Sequence, residues 1–364
     1  MQGKHPVENF EFGLDSFVNA SHDENGGLLD GAQVVRNTVE QALLAESVGI
    51  DSFNIAEHYR AELMDTASHV MLAAIASRTS TLRLGTAVTV LSTQDPVRLF
   101  TEFSTLDAVS DGRAQLVVGR GSATESFPLF GFDLADYEEL FEEKLDLFTK
   151  LLREQPVTWS GKFRSPLKNQ TLNPPLPAGH LPTWVGVGGS PNSVLRAAKY
   201  GLPMMLAIIG GHPSRFSGHV DLYHRALEQF GHKKLPVGVH SPGYIADTEQ
   251  EAFDIQWPYY AEAMNTEAKI RGWRSPVFEH YEAEATNGSM YIGSPETVAP
   301  RIADTICLLG LERFDLAYAT GPMPHELKMK TIELYGREVI PRVREILADA
   351  SDNDGTRAAE KVNR

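Results

Sequence analysis

The sequence has few of the features that attach a protein to nucleic acid or to a membrane. Its 33 lysines and arginines are outnumbered by 48 aspartates and glutamates, which gives a formal net charge of −15 at pH 7. This balance argues against a nucleic-acid surface, which needs clustered basic side chains, and against an anionic membrane surface. It does not exclude a small anionic ligand, because a few backbone N–H groups can hold one inside an acidic protein.

Cysteine is nearly absent, since Cys307 is the only one in 364 residues. An internal disulfide and a thiolate metal cluster are therefore excluded. No apolar run reaches the ~18 residues that a membrane span needs. The segment 1–13 also lacks the apolar core of a signal peptide. These absences predict a soluble, cytoplasmic protein without a membrane partner.

Common catalytic and binding motifs are also missing. The sequence contains no G-x-x-x-x-G-K-[ST], no H-E-x-x-H and no G-x-S-x-G, and no G-x-G-x-x-G opens a helix after a strand. The histidines of the central region follow no spacing that would place them on one metal-binding face. We interpret them as surface or locally hydrogen-bonded residues and predict no metal site; they are His212, His219, His224, His232 and His240.

Short apolar runs alternate with longer amphipathic stretches along most of the chain. Several runs are apolar on both faces, which is typical of parallel strands covered by helices. Eight such runs with helical connections predict an α/β fold, a (β/α)₈ TIM barrel. The runs occupy residues 10–17, 51–56, 82–90, 114–119, 181–188, 202–208, 235–246 and 313–320.

We predict one barrel domain over residues 1–348, with insertions on its C-terminal face, followed by a polar tail over 349–364. The longest insertion, 255–292, follows a late strand and so falls at the face where barrel active sites lie. It is interpreted as a mobile lid. A packed helix pair or a subunit contact remains an alternative.

Candidate functional residues follow the predicted strands. His58 comes after the second strand, where an imidazole could exchange protons near neutral pH, although a structural role is equally open. Arg120, between two glycines, ends the fourth strand. An arginine that emerges from an apolar strand end needs an anion. That anion is either a ligand or a carboxylate such as Glu57 or Asp111.

The fifth strand runs into an abrupt turn that starts a helix. Ser190 is a good N-cap, so the N–H groups of residues 192 and 193 are expected to be free. Gly188 and Gly189 remove side chains from the approach, and Ser190 and Ser193 add hydroxyl groups. The turn therefore predicts a phosphate cradle. An ordinary capped helix start would look the same.

Taken together, these segments resemble the bacterial luciferase-like, flavin-dependent monooxygenase family over roughly residues 10 to 345. The resemblance implies a (β/α)₈ barrel that binds reduced FMN at its C-terminal mouth and uses O₂ to oxygenate a small organic substrate. Aromatic residues within 255–292 suggest that this substrate is apolar, although they could equally pack the insertion on the barrel. The resemblance also implies a separate NAD(P)H flavin reductase and a homodimer or larger assembly. It rests on "IAEHY" (55–59), "LRLGTAVTVLSTQDPVR" (82–98), "TLDAVSDGRAQLVVGRGS" (105–122) and "VGVGGSPNSVLRAAKYGLPMML" (185–206).

The resemblance also assigns roles to single residues. In bacterial luciferase a non-prolyl cis peptide lies under the flavin ring, and the matching pair here is Ala87–Val88. The family's phosphate-binding arginine matches Arg120, and the histidine that assists the reaction of reduced flavin with oxygen matches His58. The remaining predicted cofactor-binding positions are Ser122, Gly188, Gly189, Ser190, Ser193 and Ile208.

Three departures separate this chain from luciferase. Gly189 stands where luciferase has an acidic residue, Gly119 replaces a cysteine near the flavin, and Ile208 replaces a tryptophan near the ring. Light emission is therefore not implied. Two alternatives to monooxygenation stay open at this point. One is hydride transfer with a deazaflavin, and the other is flavin binding without catalysis.

Overall fold

The structure is a computed structural model that describes residues 10–23, 25–177 and 180–350. Eight strands form a barrel in the order in which they occur along the chain. Their pairings are parallel throughout. The strands of the described chain are β1 (Glu11–Ser16), β2 (Ser52–Ile55), β3 (Arg83–Thr86), β4 (Thr89–Val90), β5 (Leu116–Gly119), β6 (Val157–Trp159), β7 (Leu167–Gln170), β8 (Thr183–Val187), β9 (Met204–Ala207), β10 (Val237–Ile245), β11 (Tyr291–Gly293) and β12 (Arg313–Tyr318).

The third barrel strand is divided into β3 and β4. Ala87 and Val88 lie between the two halves, and the peptide bond that joins them is cis. Leu84 pairs in parallel with Ala114, and β4 pairs with β5, so the divided strand closes the barrel between β2 and β5. The predicted eight-stranded α/β barrel is therefore confirmed. Outside it, β11 pairs in parallel with the C-terminal end of β10, and β6 and β7 form an antiparallel hairpin.

Helices follow most of the strands. They are α1 (Gly31–Ser47), α2 (Ser68–Ala76), α3 (Pro96–Ser110), α4 (Ser126–Phe130), α5 (Tyr137–Arg153), α6 (Pro191–Lys199), α7 (Ser217–Gln229), α8 (Glu249–Arg271), α9 (Phe278–Asn287), α10 (Pro295–Leu309) and α11 (His325–Leu334). Several begin where the sequence supplies a cap. Asp95, for example, accepts hydrogen bonds from the N–H groups of Val97 and Arg98 at 2.9 and 3.1 Å, with Pro96 in the first helical position.

The barrel interior is polar on one side. Arg313 is 0% exposed and donates to both carboxylate oxygens of Asp315 at 2.9 and 3.0 Å and to Gln115 at 3.0 Å. Asn54 donates to Asp15 at 2.8 Å. These buried ions and amides satisfy one another, as groups removed from water must. The opposite side of the interior is apolar and contains Val88, Val117, Trp184 and Met205.

Close contact with side chains of the two neighbouring strands explains a glycine on β1. A Cβ atom at Gly13 would lie 2.2 Å from a carboxylate oxygen of Asp315 and 2.6 Å from the hydroxyl oxygen of Ser52. Any larger side chain would therefore displace Asp315 and with it the ion pair to Arg313. The glycine makes room for the polar half of the barrel interior.

The insertion over 255–292 contains most of α8 and the whole of α9. Four aromatic residues of these helices, Trp257, Tyr260, Phe278 and Tyr281, lie with ring centroids 5.0 to 6.2 Å apart. They pack the helices against each other, which supports the packed-pair interpretation of the insertion. A Cβ atom at Gly321 would lie 2.2 Å from the carbonyl oxygen of Tyr259, so α8 sits directly against the loop after β12.

The C-terminal part of the described chain is helical. A π-helical turn, Tyr335–Val339, follows α11, and helical backbone continues to residue 350. The predicted tail over 349–364 thus begins inside this helix, and its residues 351–364 lie outside the described part. None of the helices in the described residues is both long and apolar enough to cross a bilayer.

Candidate active site

The C-terminal ends of β5 and β8 bring three of the predicted phosphate-binding residues together. Arg120 donates from a terminal guanidinium nitrogen to the hydroxyl oxygen of Ser193 at 3.2 Å. That hydroxyl lies 2.8 Å from the hydroxyl of Ser190. The guanidinium carbon lies 5.2 Å from the ring centroid of Tyr137, whose hydroxyl donates to the carbonyl of Gly121 at 2.6 Å. We call Arg120, Ser190 and Ser193 the cradle.

The carboxylate that pairs with Arg120 is neither of the two proposed from the sequence. Arg120 forms an ion pair with Glu138 of α5, which also accepts from Arg196 at 2.8 Å. Glu57 is instead buried and accepts from the N–H of Val90 at 2.8 Å and from Tyr59 at 2.7 Å. Glu138 is 59% exposed, so an anionic ligand could compete with it for Arg120.

The turn after β8 differs in one detail from the sequence-based expectation. The hydroxyl oxygen of Ser190 accepts from the N–H of Ser193 at 3.2 Å, so that amide is not free. Within the described chain, the N–H of Asn192 has no hydrogen-bond partner and stays available. Gly189 has φ +98°, a conformation that disfavours side chains. A Cβ atom at Gly188 would meet nothing within 4 Å, so open space adjoins the cradle.

These contacts fit an anionic group such as a phosphate. The cradle offers a guanidinium, two hydroxyls and a helix N-terminus in one place, and charge-assisted hydrogen bonds from such donors suit phosphate oxygens. The carboxylate of Glu138 already occupies one donor of Arg120, which shows that an anion can reach this guanidinium. The cradle is thus suited to an anionic group.

His58 lies at the end of β2 and is oriented by Asp65. Its Nδ1 lies 2.8 Å from one carboxylate oxygen, and its backbone N–H donates to the other at 2.8 Å. Asp65 is 0% exposed, whereas the His58 side chain is 18% exposed. With Nδ1 bonded to the carboxylate, Nε2 has no partner among the described residues and is free to exchange a proton with a ligand.

The other predicted site residues lie in different surroundings. Ala87 and Val88 are half-buried, and Val88 packs on the apolar side of the barrel interior. Ser122 is exposed on the rim, where its carbonyl accepts from Arg271 of α8 at 3.5 Å. Ile208 is 0% exposed and belongs to the main core, so the structure does not bring it to the cradle.

His240 was missed by the sequence-based reasoning. The interpretation of this histidine as a surface or locally bonded residue is wrong, because it lies inside the barrel on β10 and is hydrogen-bonded through Nδ1 to Asp15 of β1. The signal was a histidine within an apolar strand, two positions from Gly238, which also faces the interior. Its ring stacks on Phe17, with centroids 5.8 Å apart and planes 5° apart.

Buried charges shift the pKa values around His240. Burial lowers the pKa of His240, but the hydrogen bond to Asp15 and the charges of Asp15 and Asp315 outweigh it, so that pKa lies above its usual value. Burial also raises the pKa of Asp315, with a further contribution from Asp15, although Arg313 opposes the change. In the described residues, no three histidine, cysteine or acidic side chains are grouped so that they could hold a metal ion.

Comparison with known proteins places this chain in a family. Residues 14–312 match the model of the luciferase-like monooxygenases. The alkanal monooxygenase alpha chain of Photorhabdus laumondii is 28% identical over 342 residues, which cover 86% of this chain and 93% of that one.

Two solved structures share the fold. The FMN complex of the oxygenating constituent of 3,6-diketocamphane monooxygenase from Pseudomonas putida has a TM-score of 0.72 at 21% identity and covers 92% of this chain and 99% of its own. An F420-dependent secondary alcohol dehydrogenase has a TM-score of 0.69 at 18% identity, with coverage of 92% and 99%. The match over most of its length shows that the chain belongs to the luciferase-like monooxygenase family, and the predicted enzyme class, a flavin-dependent oxidoreductase, is confirmed.

Proposed function

We propose that this protein is an FMN-dependent monooxygenase that uses reduced FMN and O₂ to oxygenate a small, apolar organic molecule. The observation that carries the proposal is the cradle, where Arg120, Ser190 and Ser193 meet at the ends of β5 and β8. A phosphate-terminated cofactor would find there the donors that it needs. Membership of the luciferase-like family supports the same assignment.

In this proposal each part of the mouth has a separate task. Arg120, the two serine hydroxyls and the N–H of Asn192 hold the phosphate. Ala87 and Val88, which separate β3 from β4, lie where the flavin ring would rest, and the open space beside Gly188 lets the cofactor approach the backbone. FMN itself would supply the redox chemistry, while the protein binds, orients and excludes water.

His58 is the proposed general acid or base. Asp65 holds Nδ1, which fixes the ring and its tautomer and leaves Nε2 as the nitrogen that takes or gives a proton. The arrangement matches the way in which a carboxylate orients a catalytic imidazole in other enzymes. The packed helices α8 and α9 would limit the entry of water above it.

Two partners and a location complete the proposal. The sequence contains no nicotinamide-binding fingerprint, so reduced FMN would come from a separate NAD(P)H flavin reductase. The described residues contain no helix suited to a membrane span. A cytoplasmic location is part of the proposal. A homodimer or larger assembly is part of the same proposal.

Isotope labelling tests the proposed function. Photoreduced FMN, ¹⁸O₂ and a panel of apolar aldehydes, ketones and thioethers are supplied to the protein, and the products are analysed by mass spectrometry. We expect one ¹⁸O atom in the product of a substrate that turns over, and none when the protein is omitted. Turnover without label would overturn monooxygenation. In a parallel arm, oxygen-independent hydride transfer from reduced F420 to a ketone would instead establish a deazaflavin enzyme.

A further inference from the structure

The barrel mouth contains a second imidazole that is held in the same way as His58. His58 is anchored through Nδ1 by Asp65, and His240 is anchored through Nδ1 by Asp15. Within the described part of the chain, neither ring has a partner at Nε2, and their side chains are 18% and 12% exposed. Both rings also contact the ring of Phe17, with centroids 5.2 and 5.8 Å away.

Their position in the barrel separates these two imidazoles from the cradle. Four consecutive barrel strands, β2, β1, β12 and β10, carry or lead into His58, Phe17 and His240. The cradle lies at the ends of β5 and β8, on the other side of the barrel. A molecule that places its phosphate in the cradle and reaches across the mouth would therefore present its far end to the two imidazoles. This step rests on the proposed function, because it takes FMN as the molecule anchored in the cradle.

We propose that His240 is a second ligand-contacting residue, which donates a hydrogen bond from Nε2 to an oxygen atom of the molecule bound in the mouth. Asp15 accepts a hydrogen bond from Nδ1–H, so Nε2 is the nitrogen left to contact the ligand. The oxygen belongs either to the flavin ring or to the substrate stacked on it. The carboxylate of Asp15 balances the imidazolium, which suits a neutral carbonyl oxygen as acceptor.

The proton that makes Nε2 a donor is present only in the charged ring. The charged groups that act on His240 are Asp15 of β1 and Asp315 of β12, and Asp315 is itself paired with Arg313. The ring of His58 contacts the same Phe17 ring as His240 does. Asp15 and Asp315 raise the pKa of His240 above its usual value, although burial opposes them. The donor is therefore present below that raised pKa and is lost as the pH rises through it.

The variant His240→Gln tests whether His240 donates a hydrogen bond to the ligand or has only a structural role. Glutamine has an amide N–H that can donate at every pH, whereas the histidine donates only while it is charged. The affinity of each protein for FMN is measured by flavin fluorescence from pH 6 to 9. As the pH rises, we expect the affinity of the wild type to fall about tenfold more than that of His240→Gln. His280→Gln, a change at an exposed histidine of α9, should keep the wild-type profile.

Two arms identify the source of the oxygen atom. If the pH-dependent difference appears with FMN alone, the acceptor is on the cofactor. If it appears only after decanal is added as a carbonyl compound, the acceptor is on the substrate. A constant ratio of affinities in both arms would overturn the contact of His240 with a ligand.

Nuclear magnetic resonance of ¹⁵N-histidine-labelled wild-type protein gives a readout that needs neither activity nor a folded variant. We expect the His240 ring to titrate above the usual value of about 6.5, and its Nε2 resonance to move when FMN, or FMN with decanal, is added. Bound FMN with an unmoved Nε2 resonance would overturn this inference alone. Failure of FMN to bind at all would overturn the proposed function, so the two failures are distinguishable.

Discussion

Single side chains at the mouth owe their orientation to buried carboxylates. Asp65 fixes the ring of His58 by two bonds of 2.8 Å, one to the ring and one to the backbone N–H of the same residue. A ring held in this way keeps Nε2 in one place without a further partner. The role of His58 should therefore depend on its own nitrogen rather than on the shape of the pocket.

Loss of the His58 imidazole should lower turnover without changing cofactor binding. We expect His58→Ala to reduce the rate of product formation by roughly 10²-fold, the usual contribution of a general acid or base. Its affinity for FMN, followed by flavin fluorescence, should stay within about twofold of wild type because the cradle is untouched. His280→Gln serves as the control. A large loss of FMN affinity with a normal rate would reverse this assignment.

The partners of the site residues differ in their separation along the sequence, and this decides which of them the sequence can predict. His58 and Asp65 are 7 positions apart and lie in one loop. Arg120 and Ser193 are 73 positions apart, and His240 and Asp15 are 225 apart. Residue types and strand ends can point to each member, but the partners meet only when the barrel closes. This is why the sequence predicted Arg120 and Ser193 but gave Arg120 the wrong carboxylate and missed His240.

At the scale of elements, α8 is joined to the mouth by a group of ion pairs. Arg60, in the loop after β2, pairs with Glu267 of α8 and donates to Glu125 at 2.8 Å. Glu267 also accepts from Arg271, one turn further along the helix, at 2.6 Å. The Arg60 side chain is 7% exposed, and these carboxylates compensate its buried charge. These ion pairs join the C-terminal half of α8 to the loop after β2 and, through Arg60, to Glu125.

Removal of the Glu267 charge should loosen the end of α8. We expect Glu267→Gln to increase hydrogen–deuterium exchange over residues 262–272, because it weakens the contacts of α8 with both arginines. Glu262→Gln is the matched control on the same helix, since the Glu262 carboxylate pairs, among the described residues, only with His22, at 3.8 Å. Equal exchange in both variants would show that aromatic packing alone holds α8 in place.

Elements with strong local patterns were the easiest to predict. All eight apolar runs became barrel strands, because buried parallel strands need apolar residues on both faces. Ser190 and Pro191 mark the start of α6 in the sequence and in the structure. The cis peptide at Ala87–Val88 had no local signal and was expected only from the family resemblance, and the division of the third strand there was not predicted. The packing of α8 on α9 depends on contacts between helices, which the pattern of 255–292 left open.

At the scale of the whole molecule, a buried lysine links stability to pH. Lys328 of α11 is 5% exposed and donates to the hydroxyl of Ser21 at 2.7 Å and to the carbonyl of Asn19 at 3.3 Å. No carboxylate in the described residues forms an ion pair with it. Burial lowers the pKa of Lys328 to about 7. The folded protein therefore releases this proton at a lower pH than the unfolded chain does.

The stability of the fold should rise with pH between about 7 and 10 because of this lysine. In that range the unfolded chain keeps the proton that the folded protein has lost, which adds up to about 1.4 kcal/mol per pH unit to the free energy of unfolding. Urea unfolding at pH 7, 8.5 and 10 gives the free energy of unfolding of both proteins. The value for Lys328→Met minus that for the wild type should decrease as the pH rises. Lys269→Met, at an exposed position, should show no such trend. A constant difference for Lys328→Met would contradict the lowered pKa.

The central claim is that the cradle binds the phosphate of FMN. Its most direct test measures the affinity of FMN and of riboflavin, which lacks the phosphate, for wild type and Arg120→Ala by flavin fluorescence. Glu138→Gln, which removes the carboxylate that competes for Arg120, serves as a control expected to tighten FMN binding. We predict that Arg120→Ala weakens the binding of FMN by about 1.5–3 kcal/mol and leaves the affinity for riboflavin unchanged. Equal losses for both flavins, or an unchanged affinity for FMN, would contradict the account.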